Sequence, residues 1–212
     1  MYQDRTTNDD KSSKRFHRDA ELLLERLQNN PHDSRSMFYL AQTYGCLRQT
    51  DKAFEWYKKR IEHGKGFQEE IYHSYLRAGI ADYTLYNRWN QSMEYFLNAI
   101  NHSPDRIEGY AHIIKYYCTN NKWDLAFVFA NTAINLCRRP YKYVLFDNQS
   151  VYDYWIHHYY SVICINIHKS IQVDQRKGFA SARKAIEYST KHNLDTASID
   201  MEVHRRYLEL FT

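Results

Sequence analysis

Small and aromatic residues return along this chain in a fixed order and at nearly fixed intervals, and that periodicity admits few folds. Tyr44, Ala53 and Tyr57 are followed by Tyr83, Ser92 and Phe96, and then by Tyr117, Ala126 and Ala130. Ala53 to Ser92 spans 39 residues, and Ser92 to Ala126 spans 34. A recurrence of this length marks a supersecondary unit that cannot bury its apolar face alone and stacks on its neighbours. Small residues then fall where two helices cross, and aromatics fill the wedge between them. The five extra residues of the longer interval have two turn-like places to sit, Gly64-Lys65-Gly66 or Tyr86-Asn87-Arg88. A fourth, looser copy pairs helices over about Tyr152–His168 and Gln175–His192, with Ala182, Ile186 and Ser189 at the crossing. It implies an insertion of about 22 residues, mostly within Arg138–Asn148. Ala20, Leu24 and Leu27, ended by Pro31, read as a lone second helix before the first pair. A last amphipathic helix near Ser198–Phe211 carries Met201, Val203, Tyr207, Leu208 and Phe211 and caps the stack.

Composition agrees with helices. Only 6 Gly and 3 Pro punctuate 212 residues, too few for the many turns of an all-β sandwich. With 43% hydrophobic and 16% aromatic residues the chain can bury a core, which excludes wholesale disorder. Net charge is +4, without the clustered excess of a dedicated nucleic-acid binder. The four cysteines stand far apart and form no CxxC pair, so reduced thiols of a cytosol-like compartment are expected. No apolar run reaches the roughly 18 residues of a membrane span. The polar start, MYQDRTTNDDKSSKRF, does not read as a secretory signal. The expectation is a cytoplasmic, helical protein with a linker-like tail over 1–13 and a repeat domain over 14–212.

The spacing of each copy resembles a tetratricopeptide helix pair, and the 34-residue interval equals that family's period. The fold expected is all-α, a tetratricopeptide-like right-handed solenoid of about four helix pairs plus a C-terminal capping helix. A narrower resemblance is carried by Lys14-Arg15-Phe16-His17-Arg18-Asp19-Ala20-Glu21-Leu22-Leu23, by Asn30-Pro31 with Arg35, and by Phe38-Tyr39-Leu40-Ala41-Gln42-Thr43-Tyr44. It continues in Trp56-Tyr57-Lys58-Lys59-Arg60, Glu69-Glu70-Ile71-Tyr72-His73-Ser74, Leu145-Phe146 and Val151-Tyr152-Asp153-Tyr154. These segments resemble the helical region that follows the catalytic domain of family-2-type glycosyltransferases. That resemblance implies a non-catalytic scaffold associated with a glycosyltransferase, as its C-terminal part or as a stand-alone relative. Those enzymes keep their donor-binding Asp-x-Asp motif in an upstream α/β domain. Here only a polar stretch precedes the helices, and Asp9-Asp10 has no strand to orient a metal.

Little else in the rows promises chemistry. Cys164 and His168, with His157-His158 one to two turns upstream, supply helical spacing but too few converging ligands for zinc. There is no GxSxG and no Gly-rich phosphate loop. Basic and aromatic residues interleave at Trp56–Arg60 and Arg138–Tyr143, a mixture that suits single strands of nucleic acid. Trp56 and Tyr57, however, fall at or beside a helix crossing. No cofactor, metal or catalytic residue is therefore assigned, and nucleic acid is not expected as a partner.

What remains is binding. The first helix of each stacked pair lines a concave surface. The alignment puts Arg35, Phe38, Gln42, Ser74, Arg77, Glu108, Ala111 and Lys115 on it, a mixture suited to an extended peptide or a glycan. The expected partner is a protein, a glycosyltransferase catalytic domain among the possibilities, or a glycan or peptide. The alternatives are a generic tetratricopeptide adaptor for a peptide partner, and a portion of an active glycosyltransferase. The inserted segment, with Tyr141, Tyr143, Val144, Leu145 and Phe146, is too apolar to remain in water. It is expected to fold back with Leu145 and Phe146 buried, and with Asp147 and Asn148 capping the next helix.

Overall fold

The computed structural model describes residues 9–137, 146, 148–167 and 174–211. Among these lie ten α-helices and one π-helical turn. They are α1 (Asp9–Asn29), α2 (Ser34–Cys46), α3 (Thr50–His63), α4 (Gln68–Tyr86), α5 (Trp89–His102), α6 (Glu108–Thr119) and α7 (Trp123–Leu136). The π turn Val151–Trp155 runs into α8 (Ile156–Ile167), followed by α9 (Gln175–Lys191) and α10 (Ala197–Phe211). Two compact units divide the chain, residues 1–99 and 100–212.

In the first unit α1 packs on α2, α2 on α3, and α3 on α4. Asp33 caps α2, accepting the Ser36 amide at 3.2 Å and its hydroxyl at 2.8 Å. Gly64 ends α3 in the left-handed region at φ 64°, where a side chain would be strained. The core gathers Ala20 and Leu27 of α1, Phe38, Leu40, Ala41 and Tyr44 of α2, and Ala53, Phe54 and Tyr57 of α3. Two charges are buried with them. Arg60 and Glu70 pair at 3.3 Å, and Arg60 also donates to the Phe67 carbonyl. Asp82 accepts from Arg88 and, at 2.9 Å, from the Ser92 hydroxyl, which ties α4 to α5.

In the second unit α6 pairs with α7, α8 with α9, and α10 covers both α8 and α9. Ala126, Ala130, Ala133, Ala182 and Ala185 are fully buried, so the small residues do sit at close crossings. Tyr207 anchors α10 by donating to the Ser161 carbonyl at 3.0 Å. Tyr154 donates to Asp200 at 2.9 Å, and His158 Nδ1 meets the same carboxylate at 2.5 Å, so α10 is also held by a buried polar network.

The turns inside three pairs reproduce the sequence intervals. Arg48, Asn87 and Asn121 all have positive φ, and they too stand 39 and 34 residues apart. In two of these turns the following amide returns to the tyrosine carbonyl, Gln49 to Tyr44 and Lys122 to Tyr117. Local backbone chemistry thus repeats with the core pattern.

Three expectations need correction. The five extra residues occupy neither turn-like segment; α4 absorbs them, at 19 residues against 13 for α2 and 12 for α6. Its start, Gln-Glu-Glu-Ile-Tyr-His, has acidic residues in the first turn and no breaker, so the helix simply begins earlier. The first helix begins at Asp9, inside the stretch read as tail. Phe146 is 39% exposed rather than buried. Leu145, Asp147 and the rest of Arg138–Tyr143 lie outside the described residues, as does His168. Asn148 does act near the helix start, accepting the Val151 amide at its carbonyl and the Ser150 hydroxyl at its side chain.

Candidate functional site

Each unit presents a polar surface, and the two differ in chemistry. On α2 of the first unit, Arg35, Tyr39, Gln42 and Cys46 follow one another at helical spacing and share a face. The Arg35 guanidinium donates to the Tyr39 hydroxyl at 3.3 Å and lies 5.6 Å from the centre of its ring. Tyr39 is 39% exposed, Arg35 and Cys46 are exposed, and Gln42 is half-buried. Arg77 of α4 is exposed and reaches this stripe beside Gly45. The surface therefore offers two guanidinium groups, an amide and a ring edge. Such a set recognises the carbonyls and carboxylates of an extended chain.

The sequence assignment of this face is partly corrected. Phe38 is wholly buried and meets Tyr57 and His73 edge-on, so it is core. Ser74 is wholly buried and spends its hydroxyl on the Glu70 carbonyl at 2.7 Å. In the second unit Glu108 is 4% exposed. It accepts from Arg106 at 2.6 Å and from the Tyr152 phenol at 2.9 Å, which makes it a packing ion pair. Ala111 is buried as well, while Lys115 of the same helix is exposed. Of the residues placed on the concave surface, Phe38, Ser74, Glu108 and Ala111 are thus buried between helices, whereas Arg35, Arg77 and Lys115 reach solvent. Tyr39 was missed, although its place four residues after Arg35 was there to be read.

The interleaved basic and aromatic residues of Trp56–Arg60 resolve into local pairs. Lys59 sits 3.9 Å from the centre of the Trp56 ring, Lys58 stands over Phe54, and Tyr57 and Arg60 are buried. Cys164 is buried between Tyr160 and Tyr207, and burial pushes its thiol up to about 11. Among the described residues no group of three or more His, Cys, Asp or Glu is arranged to hold a metal ion. Among them, too, no helix is long and apolar enough to cross a membrane.

The second unit holds a cleft of about 590 Å³ between the π turn with α8 and the C-terminal half of α9. Asp153, His157, Lys184, Glu187 and Lys191 line it, with the Cys137 thiol donating to the Tyr152 carbonyl at its edge. One wall is a stack of rings. Tyr188 lies on Tyr154 at 5.4 Å and on His192 at 4.2 Å. The π turn, in which the Ile156 amide donates to the Val151 carbonyl five residues back, sets Asp153 and His157 toward this cleft. Such turns concentrate at functional sites. Nothing in the hydrophobic periodicity marks it.

These features define a class of fold: all-α, tetratricopeptide-like, built of helix pairs. No protein-family model and no curated protein matches the chain. Among solved structures it is similar to the crystal structure of MamA, at 16% identity and a TM-score of 0.59, over 91% of this chain and 99% of that one. It is also similar to YrrB, described as a TPR protein with an unusual peptide-binding site, at 13% identity and a TM-score of 0.57, over 89% and 93%. A third is TTC0263, a thermophilic TPR protein of Thermus thermophilus, at 17% identity and a TM-score of 0.50, over 92% and 90%.

Proposed function

We propose that this chain is a protein-binding adaptor that holds an extended peptide segment of a partner on the α2 and α4 face of its first unit. The observation that carries this reading is the pair of exposed residues Arg35 and Tyr39, with half-buried Gln42 in line and Arg77 beside them. The surface is polar and based on two helices, and of its side chains Tyr39 touches the core, meeting the Phe38 ring edge-on at 5.8 Å. The likeness to YrrB, whose site binds peptides by its own description, supports the same use of such a surface.

Within this reading the sequence resemblance to glycosyltransferase-linked helical regions makes a glycosyltransferase catalytic domain one partner to test. The four unpaired thiols suit a reducing compartment such as the cytoplasm. A peptide array probed with the full chain tests the adaptor role. Binding that is lost in Arg35→Glu/Arg77→Glu and kept in Lys59→Glu supports it. No binding, or equal loss in all variants, refutes it.

A further inference from the structure

The cleft of the second unit has a feature that its packing does not explain. His157 is only 8% exposed, yet among the described residues its Nδ1 has no hydrogen-bond partner. A buried donor or acceptor left unmade is costly, and such groups in a native fold call for a reason. The side chain lines the cleft and stands on the helix that the π turn leads into.

The charges around it are unequal. Burial and, after it, the charge of Lys184 depress the imidazole, Asp153 opposes with a smaller effect, and the net is a fall to about 4. The same ranking holds at the Cys137 thiol, where burial dominates and Lys184 again outweighs Asp153. At both groups, then, the Lys184 ammonium acts more strongly than the Asp153 carboxylate. Lys184 and Lys191 stand two turns apart on α9, and among the described residues neither forms an ion pair.

We propose that this cleft binds a single carboxylate of a peptide ligand, with Lys184 as its counter-ion and the His157 ring hydrogen-bonded beside it. The assignment rests on the adaptor reading, since it takes the ligand to be a peptide. Asp153 and Glu187 line the same cleft, so a doubly charged phosphate meets repulsion that a monoanionic carboxylate meets less. The carboxylate meets the ring from the cleft side, Nδ1 itself being sealed from water. It also favours the charged ring, so binding draws a proton onto His157. The other titratable groups facing this space are Cys137, Tyr152, Tyr188 and His192. His192 is exposed and stacked on Tyr188 in the same cleft, so its response tells binding at that end from binding beside His157.

The test uses the full chain with labelled histidine side chains, followed by NMR. The probes are a capped Gly-Gly-Glu-Gly-Gly peptide, its Gln counterpart, and inorganic phosphate. The glutamyl peptide should move the His157 resonances saturably and raise the pH at which that ring titrates, while the Gln peptide should leave both unchanged. Lys184→Gln, at an exposed position, should weaken binding about tenfold or more. An equal response to the Gln peptide, tighter binding of phosphate, shifts at His192 without His157, or no response overturns the proposal. If array peptides bind at Arg35 and Arg77 while the glutamyl probe leaves His157 untouched, the cleft assignment alone falls. If the array is blank while the probe titrates His157, the adaptor reading falls and the cleft stands as a carboxylate site.

Discussion

Replacing Gly79 by alanine asks whether the helix pairs cross as closely as the repeat pattern requires. A Cβ at this buried position in α4 would lie 2.7 Å from Cε1 of Phe96 and 3.0 Å from Cδ1 and Cζ. Carbon atoms prefer at least about 3.5 Å, so the ring would have to retreat by roughly 0.8 Å. It has little room, being 2% exposed with the Trp89 ring 6.3 Å away. Overpacking of this kind costs about 1–3 kcal/mol. Alanine recovers about 1 kcal/mol of helix propensity over glycine. The net is a loss of about 1 kcal/mol, or a fall of about 2–4 °C in Tm for a chain of this size. Gly45 provides the contrast, because a Cβ there meets nothing nearer than the Arg77 guanidinium at 3.8 Å. Gly45→Ala should therefore raise stability, by about 0.5–1 kcal/mol. Thermal melts by circular dichroism separate the two, and Gly79→Ala/Phe96→Leu should regain what Gly79→Ala loses. A Gly79→Ala variant as stable as Gly45→Ala would refute the close α4–α5 crossing.

Three further outcomes follow from the geometry. Ala126→Leu, at a fully buried crossing of α7, should lose about 1–3 kcal/mol in urea unfolding, while an unchanged midpoint would contradict the repeat alignment. Glu70→Ala leaves the wholly buried Arg60 without its counter-ion and should cost about 3–5 kcal/mol by the same assay; a loss under about 1 kcal/mol would mean that the pair is solvated. His157 is neutral in both folded and unfolded chains above pH 6.5, and between 6.5 and about 4 only the unfolded chain takes up its proton. Stability should thus drop by about 3 kcal/mol across that window, and His157→Gln should lose that part of the pH slope.

Much of this fold was legible because a helix crossing demands a small residue, and the chain supplies one at each interval. Ala53, Ala126 and Ala182 are all buried, as are the wedge-filling Tyr44, Tyr57, Phe96 and Tyr117, whereas Tyr83, the second copy's counterpart of Tyr44 and Tyr117, is 39% exposed. The added length of α4 was not legible, because a five-residue excess looks the same whether a turn or a helix absorbs it. The binding face was half legible. Arg35, Gln42 and Arg77 reach solvent, but Phe38, Ser74 and Glu108 differ from them only by rotations about the helix axis that repeat spacing does not resolve. Glu108 in addition finds Tyr152, 44 residues on, which no local pattern announces. The cleft escaped altogether, since a π turn shifts the register of Asp153 and His157 without leaving a mark in composition.

The adaptor role is tested most directly by charge reversal on the α2 and α4 face. Fluorescence anisotropy with one array-selected peptide would compare the wild-type chain, Arg77→Glu and the distant Lys59→Glu. The account predicts an affinity at least about tenfold weaker in Arg77→Glu, since a charged hydrogen bond contributes about 1.5–3 kcal/mol, and no change in Lys59→Glu. Equal affinity in all three chains, with each folded by circular dichroism, would contradict it.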